Sequence, residues 1–213
     1  MQIIDLSHPI CNDMPVYPGT ESPIIKQETS LEKDGFIEKT IHMSSHTGTH
    51  IDSPAHIIKA GKSLDSFDVK YFAGRGAVLN FCEINGSIIN INDLLPFEEI
   101  IASVEFLLIN IGWSRFWGKK QYFINYPVLS IKSVEWITTN FKLKGLGIDA
   151  ISVDRENSSI FPVHRTILKK EIIVIENLAN LEQLGTATFL FSCFPLKIEN
   201  ADGSPIRAVA FLD

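Results

Sequence analysis

The sequence predicts an α/β fold of mixed α+β type, a single domain over residues 1–213 built on a mixed sheet. Three observations predict it. A chain of 213 residues can fill one hydrophobic core, and 45% hydrophobic with 21% charged residues is an ordinary globular balance. Short runs rich in Ile, Val and Phe outnumber helical stretches, which favours a sheet with mixed pairing over a purely parallel one. Pro/Gly/Asp clusters such as Met14-Pro-Val-Tyr-Pro-Gly19 punctuate the runs, and neither an internal repeat nor a Ser/Gly/Pro-rich linker divides them.

Taken in order, the strand candidates are residues 3–6, 24–27, 37–44, 76–81, 106–111, 146–153, 172–175, 188–192 and 207–212, where β-branched and aromatic side chains concentrate. Helices are fewer. An Asn cap at Asn92, an acidic residue at Asp93 and a break at Pro96 mark one; Ser130 caps 131–141, where Ile131, Val134 and Ile137 recur at helical spacing. Ser53 with Pro54 at the first helical position predicts a short helix after residue 52. Gly74-Arg-Gly76 and Gly145-Leu-Gly147 lack the third glycine of a dinucleotide loop and read as turns.

Composition excludes several partners. A formal charge of −6 with no basic run argues against a nucleic-acid or anionic-membrane surface and favours a small-molecule substrate. The N-terminal Asp5, Ser7 and His8 interrupt what a secretion signal would need, and no apolar stretch nears the roughly 20 residues that span a bilayer. Cys11, Cys82 and Cys193 are odd in number and widely spaced, as expected of free thiols in a cytoplasmic protein. The Asn85 and Asn157 sequons matter only in a secreted protein. No Gly-x-Ser-x-Gly elbow and no Cys–His setting offers a serine or cysteine nucleophile.

The chemistry concentrates in His46-Thr-Gly-Thr-His50-Ile-Asp52-Ser-Pro-Ala-His56, where three of the six histidines and a carboxylate fall within eleven residues. If the run from residue 37 stays extended, His46, His50 and Asp52 share one strand face, because side chains alternate with period two. Gly48 then leaves room for an ion, and Pro54 ends the strand so that His56 folds back from the first turn of the next helix. Imidazole nitrogens with a carboxylate oxygen suit Zn, Mn or Fe. The bland alternative is that these side chains satisfy local hydrogen bonds. His8 and His42 stay unassigned, Phe36, Trp113 and Trp117 are candidates for a pocket or for core, and Asp149 and Asp154 for orienting a ligand or ending a strand.

The segment resembles the signature His-x-Gly-Thr-His-x-Asp-x-Pro-x-His of the cyclase family, which includes kynurenine formamidases. The similarity continues through Asp5-Leu-Ser-His-Pro, Met14-Pro-Val-Tyr-Pro-Gly19, Gly147-Ile-Asp-Ala-Ile-Ser-Val-Asp154, His164-Arg165, Glu176-Asn-Leu178 and Asp202-Gly-Ser-Pro-Ile-Arg-Ala208. It implies a swivelling β/β/α domain that assembles as a homodimer or larger homo-oligomer. It further implies one or two divalent metals per chain, zinc or manganese. His46, His50 and Asp52 would hold the first, Asp52 would bridge to the second, His164 would ligate that second one and Glu176 would touch both. His56 would be the proton donor and acceptor. By itself, Glu176 at the end of the apolar run 172–175 marks either a site or the start of the surface.

Such parts predict hydrolysis of an amide, formamide or lactam, with water made nucleophilic at neutral pH and the developing oxyanion stabilised by cations. Tyr17 stands where the family's kynurenine formamidases carry a substrate-stacking Trp. It remains a candidate substrate-binding residue, though the departure weakens the aromatic-formamide assignment. A non-catalytic metal- or ligand-binding protein of the same fold is the competing class, against which the intact His56 argues.

Overall fold

The computed structural model describes residues 1–84 and 86–212, so the Asn85 sequon lies outside the described residues. Its strands are β1 (Gln2–Asp5), β2 (Ile24–Gln27), β3 (Lys39–His42), β4 (His50–Asp52), β5 (Ala73–Asn80), β6 (Ile88–Ile89), β7 (Phe106–Asn110), β8 (Val128–Leu129), β9 (Gly145–Ile148), β10 (Ile173–Glu176), β11 (Phe189–Ser192), β12 (Gly203–Pro205) and β13 (Val209–Leu212). The helices are α1 (Leu31–Asp34), α2 (Ile91–Leu94), α3 (Glu98–Ala102), α4 (Ile131–Asn140) and α5 (Pro162–Leu168). Nine strands form one sheet in the order β1-β13-β11-β5-β7-β9-β10-β4-β12.

The sheet is mixed, as its sequence predicts. Its centre, β5-β7-β9-β10, is parallel, and every pairing outside that centre is antiparallel. Parallel neighbours need long crossovers, and the chain supplies them with α2 and α3, then α4, then α5. All five residues of β7, Phe-Leu-Leu-Ile-Asn, are buried, because both faces of a central parallel strand are covered. Period two sorts the β7 side chains between two apolar layers. Leu107 and Ile109 meet Val134, Ile137, Val163 and Ile167 of the helices. Phe106 and Leu108 meet Ile4, Ile51, Phe189 and Phe191 on the other face, which is covered by strands and short turns. Helices on one side and strands on the other give the layered α+β architecture.

Ser130 caps α4 as predicted, accepting from the Ser133 amide. For α2 the cap is Asn90, not Asn92, in a box with Asp93. The two Gly-x-Gly segments are not turns. Both lie inside strands, β5 and β9, where a side chain would collide with the facing layer; a Cβ on Gly147 would sit 2.7 Å from Leu178 Cδ1. The strand expected over 146–153 stops at Ile148, since Asp149 is held by the amides of Ile111, Trp113 and Ser114. β2 and β3 form a separate hairpin, beside which Phe36 is exposed, neither core nor pocket, and His42 is exposed as well.

The largest departure concerns the run from residue 37 to Asp52. It is not one strand. The chain leaves β3 at His42, turns through Gly48 at φ +65°, and re-enters the sheet at His50. Gly48 is needed for that left-handed turn, and its open side is filled by Met14, whose Cε a Cβ would approach to 3.1 Å. The strand-parity argument therefore holds for His50 and Asp52 but not for His46.

Candidate metal centre

β4 lies between β10 and β12, with His50 opposite Glu176 and Asp52 opposite Val174. Residues two apart on a strand share a face, and a residue directly opposite on the antiparallel neighbour shares it too. His50, Asp52 and Glu176 therefore project together. His164 joins them from α5, whose Val163, His164, Ile167 and Leu168 form the buried face. Helix α5 carried no predicted cap; its start is set by Pro162 at the first position.

The resulting cluster is tight. His50 Nε2 lies 3.2 Å from Asp52 Oδ1 and 3.5 Å from Glu176 Oε2. His164 Nε2 lies 3.3 Å from Asp52 Oδ2 and 3.1 Å from Glu176 Oε1. The outer ring nitrogens are already engaged. His50 Nδ1–H donates to Gly48 O at 2.8 Å, and His164 Nδ1–H to Asp154 Oδ2 at 2.7 Å, which leaves both Nε2 lone pairs facing inward. Asp154 also accepts from the Val163 and His164 amides, so it is the orienting carboxylate among the two aspartates considered, whereas Asp149 holds backbone only. Behind His50 a buried chain runs from Tyr122 Oη to Asn177 Oδ1 and from Asn177 Nδ2 to Gly48 O.

His46, His56 and Asp202 form the outer part. His46 lies over Gly203, where a Cβ would come within 2.5 Å of the ring. Its Nδ1 contacts Asp52 Oδ1 at 2.6 Å and its Nε2 contacts Asp202 Oδ2 at 2.9 Å. His56 ends the predicted short helix, a 3-10 turn over Pro54–His56, with Nδ1 3.7 Å from Asp202 Oδ2 and its ring 4.0 Å from that of His46. Ser53 precedes that turn but spends its hydroxyl on the Ala201 and Asp202 carbonyls.

The carboxylates of the cluster favour positive charge among them. Burial opposes charge on His46, yet the adjoining Asp52 and Asp202 carboxylates raise its pKa to about 10. His164 is likewise raised, against its burial, by Glu176, Asp154 and Asp52. Asp52 is fully buried, and the surrounding imidazoles hold its pKa well below the ordinary carboxylate value despite that burial. Its Oδ2, although 3.3 Å from His164, has no hydrogen-bond partner. An orphaned carboxylate oxygen beside imidazole Nε2 atoms that face inward, and whose protons a divalent ion would displace, is the donor set such an ion completes. Two ligand groupings are close enough for an ion, His46–Asp52–His56 and His50–Asp52–Glu176, and Asp52 belongs to both.

His46, His50, Asp52, His56, His164, Glu176 and Tyr17 all line one cavity of about 440 Å³, together with Ile57, Phe161 and Arg165. A volume of that order suits a small molecule. Asp202, Asn177, Phe161 and Arg165 had no chemical signal of their own in the sequence; Asp202, Asn177 and Arg165 stood only inside segments of family resemblance. Trp113 and Trp117 pack against the core, and Trp117 stacks on His8 with ring centroids 3.9 Å apart.

The chain is similar to known proteins in sequence and in fold. The sequence profile of the family described as "Putative cyclase" matches residues 4–155. An uncharacterized protein of Methanocaldococcus jannaschii is 35% identical over 100% of both chains. A kynurenine formamidase of Bacillus thuringiensis is 29% identical, with 97% of this chain aligned to 95% of that one. Isatin hydrolase A from Ralstonia solanacearum superposes with a TM-score of 0.90 at 22% identity, covering 100% of this chain and 92% of the other, a likeness of fold.

Proposed function

Because the chain belongs to the cyclase family, we propose that it is a metal-dependent hydrolase that cleaves a small amide, formamide or cyclic amide. One observation carries the reading: His50, Asp52, His164 and Glu176 converge on a buried point, with Asp52 Oδ2 unpartnered, at the floor of a small-molecule cavity. His46, His50 and Asp52 would hold one ion; Asp52, His164 and Glu176 would hold a second, with Glu176 shared. Zinc suits these ligands, and manganese is accepted by the same set. When bound, such a cation supplies Lewis acidity, lowering the pKa of water toward about 7 and neutralising charge that develops on a carbonyl oxygen.

The chain's own groups then manage the proton. Burial lowers the pKa of His56, so its ring is neutral at pH 7 and able to accept. It takes the proton of the attacking water and returns it to the leaving nitrogen, so that a C–O bond forms, the C–N bond breaks, and an acid and an amine depart. Asp202, 3.7 Å away, faces the imidazolium formed in between. Tyr17 offers a ring on which a flat substrate stacks.

Elemental analysis of protein purified without added metal tests the reading, with one to two divalent ions expected per chain. A screen of formamides, lactams and lactones with the loaded protein should find turnover, and His50→Ala should abolish both metal and activity. Full activity in His50→Ala would sink the proposal. A narrower second reading is a kynurenine formamidase, supported by the Bacillus relative and tested by following N-formylkynurenine absorbance. Assembly as a homodimer or larger homo-oligomer belongs to the same reading; Ile24, Leu31, Phe36, Ile37 and Ile41 stand exposed around the β2–β3 hairpin, and light scattering checks it. Among the described residues no helix is long and apolar enough to cross a membrane.

A further inference from the structure

We propose that the cavity selects amides that also carry a carboxylate, and that Arg165 is the side chain that binds that carboxylate. The proposal rests on the hydrolase reading for the reaction but on separate residues for the recognition. Among the residues lining the cavity, Arg165 is the single permanent cation. No carboxylate of the described residues forms an ion pair with it, in contrast to Lys144 and Arg207, which pair with Glu105 and Asp5. An exposed guanidinium that lines a cavity, with no ion-pair partner among the described residues, is free to meet a charge the substrate brings.

Its placement is built rather than incidental. Arg165 follows His164 on α5, and consecutive helical residues diverge by about 100°. One side chain therefore enters the buried cluster while the next runs along the cavity wall. The guanidinium is held by Nε–H donating to Ile160 O at 2.8 Å and by a longer Nη1 contact of 3.5 Å to Ile57 O. Nε–H is thereby taken, and Nη1 is engaged only by the longer contact. Nη2 has no protein partner among the described residues, which leaves donors of the fork for a ligand. The geometry of that fork fits a carboxylate.

The neighbouring residue supports the same substrate shape. Phe161 adopts φ 46° and ψ 57°, a left-handed conformation that is an outlier for a bulky residue. This brings its ring onto the cavity wall, edge-on to His164 at 6.0 Å. Ile57 and Tyr17 line the cavity with it. The site thus offers an apolar surface beside a cation, with the imidazole and carboxylate cluster at the floor. An amide with an apolar or aromatic body and a carboxylate meets all three.

A charge-only comparison tests this: N-formylphenylalanine against its carboxamide, N-formylphenylalaninamide, with the zinc-loaded protein. Binding is read by titration calorimetry and turnover by amine release. The carboxylate compound should bind and react about 10- to 100-fold better in the native chain, the scale of a charged hydrogen bond. Arg165→Gln should bring the two compounds within about threefold by lowering the carboxylate compound's values far more than the carboxamide's, with the zinc content and the melting temperature unchanged; Arg165→Lys should fall between. Direct carboxylate binding to zinc would survive Arg165→Gln, so a preference that persists in the variant overturns the proposal. So does an absence of preference in the native chain, or no binding of either compound. Arg165-dependent binding without turnover would instead count against the hydrolase reading alone, and turnover without Arg165-dependent preference against this inference alone.

Discussion

The floor and the rim of the cavity are built from the same kinds of side chain by different means. On the floor, His50, Asp52, His164 and Glu176 are 1–5% exposed and come from β4, α5 and β10. Three of the four have a supporting group behind them: Gly48 O behind His50, Asp154 behind His164, the Val153 amide on Glu176. On the rim, His46, His56 and Asp202 are partly exposed and come from a turn, a 3-10 segment and the residue before β12. The difference teaches a division of labour. Burial on regular elements fixes ligands in place and makes a bare carboxylate costly unless a cation completes it. Under the proposed function, partial exposure leaves His56 able to exchange protons with substrate and solvent, while His46, also on the rim, would reach inward to the first ion.

Substitutions should separate the two regions, and the largest effect belongs to the floor. Asp52→Asn removes the carboxylate common to both ligand groupings, so metal content measured by elemental analysis should fall to background and activity with it. Metal retained at one ion per chain would break the comparison. On the rim, His56→Ala should keep its metal while kcat falls about 10²- to 10⁴-fold, the usual contribution of a positioned acid–base group. Metal loss in that variant would move His56 to the floor as a ligand, as one of the two ligand groupings allows.

A smaller loss is expected one layer out. Asp154→Asn leaves the His164 ring in place but weakens its orientation, and competition with a chelator should report about a 10- to 100-fold drop in metal affinity. The smallest effect lies in the scaffold beside the Gly48 turn, where the His8 amide binds Thr49 Oγ1. Burial lowers the His8 pKa from 6.5 to about 4. Between those values the unfolded imidazole is protonated and the folded one is not. The stability this group contributes is therefore complete above about pH 6.5 and is lost as pH falls toward 4. Melting temperatures from pH 7.5 to 4.5 should decline less steeply in His8→Phe than in the native chain, and parallel curves would remove the effect.

Much of this was legible beforehand. The strand runs were located to within a few residues because central strands are continuous apolar stretches, and Ser130 announced α4 through ordinary capping chemistry. Helix α5 was not read, since its sequence Pro-Val-His-Arg-Thr-Ile-Leu is short and carries no side-chain cap. Residue spacing places His46 on the same strand face as His50, and a single Gly48 at positive φ breaks that extended run. Side-chain type makes Tyr17 a pocket candidate and Phe36 a candidate for core or pocket; Tyr17 lines the cavity, and Phe36 lies exposed beside a hairpin.

The sequence by itself determined the kinds of group present: three imidazoles and a carboxylate within eleven residues, a mixed set of short apolar strands, and the residues of a family signature. Those properties are local, written in spacing and side-chain type. Only the tertiary structure decided which atoms meet. His164, Glu176 and Asp202 reach the cluster from more than 100 residues away in the chain, and Asp154 and Arg165 take their places through α5. Such meetings depend on strand order and helix packing, which bring distant residues together through the burial of the whole core rather than through any local pattern.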